Sequence, residues 1–357
     1  MTKSMTSYSV LGRSGLRVSP LCLGTMTFGT EWGWGSPKET VFSLMDRYFE
    51  AGGNFVDTAD AYTGGSSESM LGEYLSERRL RDKTVLATKF SFNTSPGDPN
   101  AGGNGRKNIH RALEGSLRRL RTDYVDVYWL HAWDGITPVE EVMSTLDALV
   151  QSGKVRYIGF SDVPAWYLAR AQTLAELRGY EKLCGLQLEY SLLERNIERE
   201  HIPAARALGL GVTPWSPLAS GMLSGKHTRG GGANEVRGAG GRLEAVSNWT
   251  NPAFSKLFTE RNWAVVDALK QVATALERSP AQVALNWVAN RPGVTSTILG
   301  ATKLHQLEEN LSALSFEIPA EHADKLEQLT RPELVHPYMF FEPSMRDMLT
   351  GGVQVSS

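Results

Sequence analysis

The 357-residue sequence has few cysteines, no excess of either charge and no long apolar run. Its two cysteines, Cys22 and Cys184, are too few for a disulfide scaffold and do not have metal-ligand spacing. With 37 Lys and Arg against 39 Asp and Glu, the chain lacks the basic excess that attracts nucleic acid or anionic lipid. No apolar stretch approaches the roughly 18 residues of a membrane span, and the first residues lack the apolar segment of a secretory signal. We therefore expect a cytoplasmic protein that binds neither nucleic acid nor membranes.

The motifs of common nucleotide, hydrolase and metal sites are also missing. No predicted strand is followed by G-x-G-x-x-G, because the nearest string, GWG at 33–35, lacks the third glycine. The P-loop pattern fails around Gly225 and Lys226, and neither G-x-S-x-G nor H-E-x-x-H occurs. The seven histidines have no metal spacing. A Rossmann-type fingerprint is therefore excluded, and no metal site is predicted.

Short β-rich runs alternate with longer amphipathic segments, a pattern typical of βαβ units and a parallel sheet. Eight strands are predicted at Leu21–Gly24, Asn54–Asp57, Thr84–Lys89, Val125–His131, Val155–Phe160, Leu183–Leu188, Gly211–Trp215 and Ser296–Gly300. This pattern favours an α/β fold, a single (β/α)8 TIM barrel spanning 1–357, with a core at 8–331 and a C-terminal tail at 332–357. An open doubly wound sheet is the alternative.

Two glycine-rich segments follow predicted strands, Ser95–Gly105 after the third and His227–Asn251 after the seventh. In a barrel both would extend the loops of the C-terminal face, where catalytic loops lie, although plain surface loops fit the composition equally well. The tail carries Tyr338, Phe340 and Phe341 close together. We expect part of it to dock on the barrel while the last residues fray.

Four polar residues stand at the ends of three successive predicted strands. Asp57 ends the second strand and Tyr62 follows in its loop, Lys89 ends the third strand, and His131 ends the fourth. Strand alternation places Lys89 in phase with apolar Val85, so its side chain shares the inner face. Singly, each residue is more often structural than catalytic. Together, at one barrel mouth, they predict a site.

The chemistry of these four residues is coherent. Asp57 can offset the desolvation of a buried Lys89. The ammonium beside Tyr62 would lower the phenol pKa from its reference of about 10, so that Tyr62 could donate a proton to a carbonyl oxygen. A neutral His131 could hydrogen-bond the same oxygen and orient it.

The chain resembles the aldo-keto reductases over nearly its whole length. The similar segments follow the family's order and read LGRSGLRVSPLCLGTMTFG, DTADAY, ATKF, WLHAWD, GKVRYIGFSD, TPWSPLASGMLSGK and TILGATKLHQLEENL. The resemblance implies that Asp57, Tyr62, Lys89 and His131 form a catalytic tetrad. It also implies that NADPH or NADP+ binds extended across the barrel mouth, without a Rossmann domain.

The resemblance further implies a path of cofactor contacts. From the nicotinamide to the adenosine phosphate, these contacts are Gly24, Thr25, Met26, Ser161, Asp162, Gln187, Trp215, Ser216, Pro217, Leu218, Gly221, Lys226, Gly300, Thr302, Lys303, Gln306, Glu309 and Asn310. Two of them depart from the family. Asp162 stands where Asn is usual, and a carboxylate cannot donate to the carboxamide oxygen. Gln306 stands where many members carry Arg, which leaves Lys303 to hold the 2′-phosphate.

The string QLEEN at 306–310 is similar to the branch that includes potassium-channel β-subunits and bacterial reductases. Some bacterial relatives in that branch reduce bulky xenobiotic ketones, so a keto-trichothecene is a candidate substrate. Trp32, Trp34 and Trp133 follow strands at the same face and are candidate walls of a substrate pocket. The alternative for these tryptophans is that they pack loops onto the barrel rim.

The favoured function is NADPH-dependent reduction of a small-molecule carbonyl, an aldehyde or ketone, to an alcohol. One alternative is a nucleotide-sensing regulatory subunit that keeps the reductase fold. Another is a lyase that uses Lys89 as a Schiff base at a barrel strand end. The sequence also leaves a homo-oligomer open.

Overall fold

Eight parallel strands form one sheet in the computed structural model, which describes residues 2–229, 236–237 and 257–353. The strands of the described chain are β1 Ser9–Val10, β2 Arg17–Val18, β3 Leu21–Gly24, β4 Phe55–Asp57, β5 Val85–Phe90, β6 Val125–Leu130, β7 Val155–Ser161, β8 Leu183–Gln187, β9 Gly211–Val212, β10 Thr228–Arg229, β11 Val236–Arg237 and β12 Thr297–Leu299. All eight predicted sheet strands are present, as β3 to β9 and β12. Several are shorter than predicted, and His131 lies one residue beyond β6.

The sheet order is β12-β3-β4-β5-β6-β7-β8-β9, and every neighbouring pair is parallel. The two end strands also meet. Thr295 N donates to Val212 O at 2.8 Å, and Ile298 N donates to Pro214 O at 2.8 Å. These bonds close the sheet on itself. The (β/α)8 barrel is confirmed, and the open doubly wound alternative is wrong.

Helices alternate with the barrel strands. The described helices are α1 Lys38–Glu50, α2 Ser66–Glu77, α3 Arg106–Leu120, α4 Val139–Gln151, α5 Ala165–Arg178, α6 His201–Leu208, α7 Glu260–Ala275, α8 Pro280–Ala289, α9 Leu304–Leu311, α10 Ala320–Thr330 and α11 Pro343–Thr350. Short 3-10 turns lie at Tyr62–Gly65, Arg81–Lys83, Asn196–Glu198, Ala219–Ser224, Ser312–Ser315 and Tyr338–Phe341. None of the helices in this part of the chain is long and apolar enough to span a bilayer.

Helix α3 shows why these segments pack on the sheet. Its buried Ile109, Leu113, Leu117 and Leu120 are spaced by four, four and three residues, which places them on one face. Its remaining surface is largely charged. Helix α6 ends at Gly209, whose φ of 73° is a left-handed conformation that glycine adopts without strain.

The barrel interior is packed with side chains. Phe55, Val127 and Trp129 lie in an interior cluster with residues of the N-terminal β1–β2 hairpin region, including Leu11. The Trp129 indole needs a glycine on the neighbouring strand, because a Cβ at Gly159 would lie 2.2 Å from its ring. This packed core supports the mouth above it, where β4, β5 and β6 end.

The C-terminal tail docks only in part. Tyr338 Oη donates to Glu200 Oε1 at 2.7 Å, as expected of a docked segment. Phe340 and Phe341 remain 47% and 62% exposed, so the three aromatic residues contribute unequally to the docking. The prediction of fraying concerns 354–357, outside the described residues. The division into core and tail stays a prediction.

Candidate active site

Lys89 is fully buried near the end of β5 and donates three hydrogen bonds from Nζ. Its acceptors are Asp57 Oδ2, Thr58 O at 2.8 Å and Tyr62 Oη at 3.2 Å. Three acceptors satisfy all three protons of an ammonium group. Burial by itself would lower the pKa of Lys89, but attraction to Asp57 and Tyr62 outweighs it and raises that pKa. The structure therefore holds Lys89 as a cation directly beside the Tyr62 hydroxyl.

Asp57 is fixed from both sides of its carboxyl group. Lys89 donates to Oδ2, and Gln187 Nε2 donates to Oδ1 at 2.9 Å. Burial raises the pKa of Asp57, and both donors oppose that shift. The Gln187 bond joins β4 to β8 across the barrel. Gln187 thus contacts Asp57, a contact that the sequence analysis did not foresee.

A tight turn presents Tyr62 to the mouth. Thr63, the next residue, has a left-handed φ of 48°, and its hydroxyl donates to Phe28 O at 2.7 Å. The same hydroxyl oxygen accepts from Ser67 N at 3.1 Å, at the start of α2. Because these bonds anchor the residue after Tyr62, the strained turn holds the phenol near Lys89.

His131 lies directly after β6, with its ring beside Tyr62. The two ring centroids are 5.8 Å apart and the rings are nearly perpendicular, at 78°. Nδ1 is buried and has no hydrogen-bond partner among the described residues. Burial, and then repulsion by the Lys89 charge, hold the pKa of His131 well below its usual value. His131 is therefore neutral near pH 7 and can hydrogen-bond an oxygen without adding a charge.

The end of β7 carries two polar groups that open into the mouth. Ser161 is buried beside the Asp162 carboxyl, and its hydroxyl helps to lower the pKa of that group. Asp162, the next residue, is exposed in the mouth, has a φ of 45°, and accepts from Trp215 Nε1 at 3.2 Å. Removal of water by the walls of the cleft raises the pKa of Asp162 to about 7. Its charge therefore changes within the physiological pH range.

The segment after β9 is built from unusual backbone conformations. Ser216 and Ser220 have φ values of 55° and 57°, and Gly221 has a φ of 102°. Strained conformations of this kind concentrate where a backbone holds a ligand. In the same segment Pro217 is buried, Leu218 is half-buried, and Lys226 is exposed.

The predicted adenosine end surrounds the start of α9. Gln306 Oε1 accepts from Thr302 N at 3.0 Å and from Thr302 Oγ1 at 3.1 Å. Asn310 is buried, and its Nδ2 donates to Gly300 O at 3.4 Å. Lys303 is exposed. Gln306 and Asn310 therefore brace this loop, while Lys303 extends a charge into solvent.

Glycine at position 24 has a packing reason of its own. A Cβ on Gly24 would lie 2.6 Å from Ile298 Cγ2, so β3 and β12 require glycine there whatever binds above it. Thr25 is buried next to it, and its N–H donates to Asp57 O at 2.9 Å. Met26 is half-buried, as is Glu309 at the other end of the predicted path.

The three candidate substrate tryptophans differ in exposure. Trp32 lies edge-on to Tyr62, with ring centroids 6.4 Å apart, and Trp133 is 39% exposed. Trp34 is only 8% exposed and packs against Trp32 at 5.6 Å. Trp34 therefore packs beneath Trp32, as expected if this residue packs a loop onto the barrel rim.

Comparison with known proteins agrees with this geometry. The model of the aldo/keto reductase family matches residues 20–331. The chain belongs to the aldo/keto reductase family. It is 36% identical to norsolorinic acid reductase stcV of Emericella nidulans, over 94% of this chain and 86% of that protein.

Two further relatives extend the comparison. The oxidoreductase YrpG of Bacillus subtilis is 38% identical over 88% of this chain and 93% of its own. The NADP(+) aryl-alcohol dehydrogenase of Phanerodontia chrysosporium is 34% identical over 92% of this chain and 86% of its own. This aldo/keto reductase is therefore an oxidoreductase of a family that uses nicotinamide nucleotides. The potassium-channel β-subunit branch stays a prediction.

Sequence reasoning missed two aromatic residues of this reductase's mouth. Phe92 lies with its ring centroid 4.6 Å from that of His131, and Trp166 packs edge-on against Trp133 at 5.7 Å. Phe92 stands three residues after Lys89, beyond the same strand end. This position beyond the strand end is the sequence signal from which Phe92 could have been predicted. Nothing comparable marks Trp166, which lies in helix α5.

Proposed function

We propose that this protein uses NADPH to reduce an aromatic aldehyde or ketone to the alcohol, with Tyr62 as the proton donor. The observation that carries the proposal is the placement of Tyr62 Oη 3.2 Å from the buried Lys89 ammonium, with the centroid of the His131 ring 5.8 Å from that of the phenol. A phenol in this position can protonate an oxygen that lies between it and the histidine.

Lys89 and Asp57 support the proton transfer electrostatically. When Tyr62 gives up its proton it becomes a phenolate, and the adjacent ammonium stabilises that negative charge. Asp57 offsets the ammonium charge and holds its direction, so little reorganisation is needed during the reaction. Neutral His131 contributes a hydrogen bond to the carbonyl oxygen and thereby orients the carbonyl group.

The residues of the mouth fit a nicotinamide nucleotide. Ser161 and Asp162 place a hydroxyl and a carboxyl side by side at the end of β7, and a carboxamide can hydrogen-bond to both groups. The strained backbone at Ser216 and Ser220 suits a bound pyrophosphate. We assign the nicotinamide end to Ser161, Asp162, Trp215 and Gln187, and the 2′-phosphate to Lys303. When bound there, NADPH supplies the hydride for the reduction.

The aromatic walls favour a flat apolar substrate. Trp32 lies beside Tyr62, Phe92 lies beside His131, and Trp133 stands two residues after His131 with 39% of its side chain exposed. A planar ring can stack or pack edge-on against each of these three residues. One relative is named as an aryl-alcohol dehydrogenase and another as a norsolorinic acid reductase. The bulkier keto-trichothecene stays a prediction.

The geometry does not favour a Schiff-base lyase. An imine forms from a neutral amine, whereas Lys89 is held as a cation by three acceptors and is fully buried. A regulatory subunit would need the same nucleotide site but no proton donor. The connection from Asp57 through Lys89 to Tyr62 therefore favours the enzyme.

Absorbance at the NADPH band, followed with an aryl aldehyde, an aryl ketone and a keto-trichothecene, tests the proposal. We expect NADPH consumption, fastest with an aryl substrate, and slower consumption of NADH. Nucleotide binding without turnover of any carbonyl would contradict it in favour of the regulatory alternative. A covalent adduct trapped by borohydride would contradict it in favour of the lyase.

A further inference from the structure

His131 depends on aromatic rings for its orientation. Histidines at functional sites are commonly fixed by a hydrogen bond to the second ring nitrogen. In His131 the buried Nδ1 has no such partner among the described residues. Instead the imidazole contacts the rings of Tyr62 and Phe92 and is nearly perpendicular to both, at 78° and 76°.

We propose that Phe92 is a positioning residue for His131, which fixes the angle of the imidazole and keeps water from its inner face. The Phe92 contact is the closer of the two, with ring centroids 4.6 Å apart against 5.8 Å for Tyr62. Both geometries are the edge-to-face arrangement that aromatic pairs prefer. Tyr62 must also serve the proton transfer, which leaves Phe92 as the ring dedicated to His131.

The backbone beneath Phe92 is built to hold it there. Ser91 has a φ of 129°, an uncommon conformation for a residue other than glycine. Its hydroxyl donates to Asn104 Oδ1 at 2.6 Å and accepts from His131 N at 3.1 Å. Asn104 Nδ2 in turn donates to Ala132 O at 2.9 Å. The loop that carries Phe92 and the loop that carries His131 are therefore bonded into one unit.

The glycine-rich segment Ser95–Gly105 takes part in this unit. Gly103 N donates to Ser91 O at 2.7 Å, and Asn104 is completely buried. The end of the segment is thus a structural brace, and not a loosely attached surface loop. It sets the position of Ser91 and, through it, of Phe92.

Phe92 is also unusual in its exposure. The Phe92 side chain is 50% exposed, although it contacts His131, whose pKa is held low by burial and by the Lys89 charge. The charged and titratable neighbours of His131 among the described contacts are Lys89 and Tyr62, whereas Phe92 carries no charge. Removing the Phe92 ring would therefore admit water without removing a charge.

Three variants separate the two effects of the ring. Phe92→Leu keeps an apolar cover but loses the ring, so we expect kcat to fall by roughly 2- to 10-fold with the His131 pKa still low. Phe92→Ala also admits water, so the His131 pKa should rise toward its usual value. Phe92→Tyr keeps the ring and should restore parental behaviour.

Nitrogen-15 NMR of the imidazole reports on His131 without any need for turnover, with His131→Gln to assign its signals. The kinetic arm rests on the proposed reductase function, whereas the NMR arm does not, so failure of one is distinguishable from failure of the other. Parental His131 signals and titration in both Phe92→Leu and Phe92→Ala would overturn the proposal. An equal loss of kcat in Phe92→Tyr and Phe92→Leu would also overturn it.

The tail offers a matched control. Phe340 is 47% exposed and lies edge-on to His336, with ring centroids 6.0 Å apart at 85°. Phe340→Ala removes a ring of similar exposure next to another histidine, in the tail that docks on Glu200 and has no described contact with His131. We expect it to leave kcat and the His131 signals unchanged. Changes as large as those in Phe92→Ala would show that the effect is not local, and would overturn the proposal.

Discussion

The inner and outer ends of the proposed cofactor path are held in different ways. At the inner end, Asp57, Lys89 and Gln187 are buried and joined by direct hydrogen bonds between side chains. At the outer end, Lys303 and Lys226 are exposed, and the structure shows no hydrogen bond from either side chain within the described residues. Hydrogen bonds therefore fix the side chains of the inner end before any ligand binds, whereas the lysine side chains of the outer end are not fixed by such bonds.

This difference follows from what each end has to do. A proton donor must be held within about 0.5 Å of its productive position before the reaction, so its supports belong in a rigid, dry environment. A phosphate carries charge and is recognised at longer range, so a flexible lysine in solvent is adequate. Changes at the inner end should therefore affect turnover, and changes at the outer end affinity.

The largest expected effect is on turnover at the inner end. Tyr62→Phe removes the proton donor but keeps the ring beside His131, so kcat should fall by roughly 10²–10⁴-fold. NADPH binding, followed by tryptophan fluorescence, should remain parental. Wild-type turnover in this variant would remove Tyr62 from the mechanism and break the contrast between the two ends.

Asp57→Asn should shift the alkaline side of the pH–rate profile. Attraction to Asp57 raises the pKa of Lys89, so its loss lowers that pKa and the ammonium is lost at a lower pH. We expect activity to decline about one pH unit or more earlier as the pH rises, a shift typical of a lost neighbouring charge. Asp126→Asn, which breaks a pair with Arg81 at the start of β6, is the control and should leave the profile in place. The same profile in both variants would contradict the coupling of Asp57 to Lys89.

Asp162 tests the comparison of the two ends further, because this residue lies at the inner end of the proposed cofactor path and yet is exposed. Below its pKa of about 7 the protonated carboxyl can donate a hydrogen bond to a carboxamide oxygen, and above it the carboxylate cannot. The Kd for NADH, which has no titrating 2′-phosphate, should rise roughly two- to tenfold between pH 6 and pH 8. Asp162→Asn donates at every pH and should abolish this dependence. If the Kd for NADH still rises with pH in the Asp162→Asn variant, another titrating group causes the dependence.

Lys303→Ala tests the outer end. Since Lys303 is exposed, its ion pair with a 2′-phosphate is worth little, and we expect KM for NADPH to rise only about two- to fivefold. The KM for NADH and both kcat values should stay unchanged. Lys325→Ala, an exposed lysine of α10 that bonds Gln271, is the matched control. Unaltered discrimination between the two nucleotides would mean that the phosphate is held elsewhere.

The smallest expected effect on turnover concerns the aromatic walls. Trp133→Ala removes an exposed ring and should change the ratio of kcat/KM between a small and a bulky aryl substrate by about twofold. Trp34→Ala removes a buried ring, so it should lower Tm while leaving that ratio near parental. If Trp34→Ala changed the substrate ratio and Trp133→Ala only lowered Tm, Trp34 would be the substrate residue and Trp133 the packing residue.

The sequence by itself determined the eight alternating strands and the location of the candidate site, although it left an open sheet as an alternative to the barrel. Alternation with period two placed Lys89 on the inner face, and successive strands of a parallel barrel necessarily bring Asp57 and His131 to the same mouth. Both inferences depend on local pattern and on a topology that admits few alternatives. For this reason eight strands and the convergence of four polar residues could be predicted without any contact being known.

Only the tertiary structure decided which contacts fix those residues. Gln187 reaches Asp57 across 130 positions of sequence, and the Phe92 ring meets His131 because Ser91 takes an unusual backbone angle. Such contacts arise from the packing of distant segments, and no local propensity encodes them. The same holds for Trp34 and Trp133, which look alike in sequence and differ in burial. Burial is a property of the folded surface, so pattern alone cannot assign it.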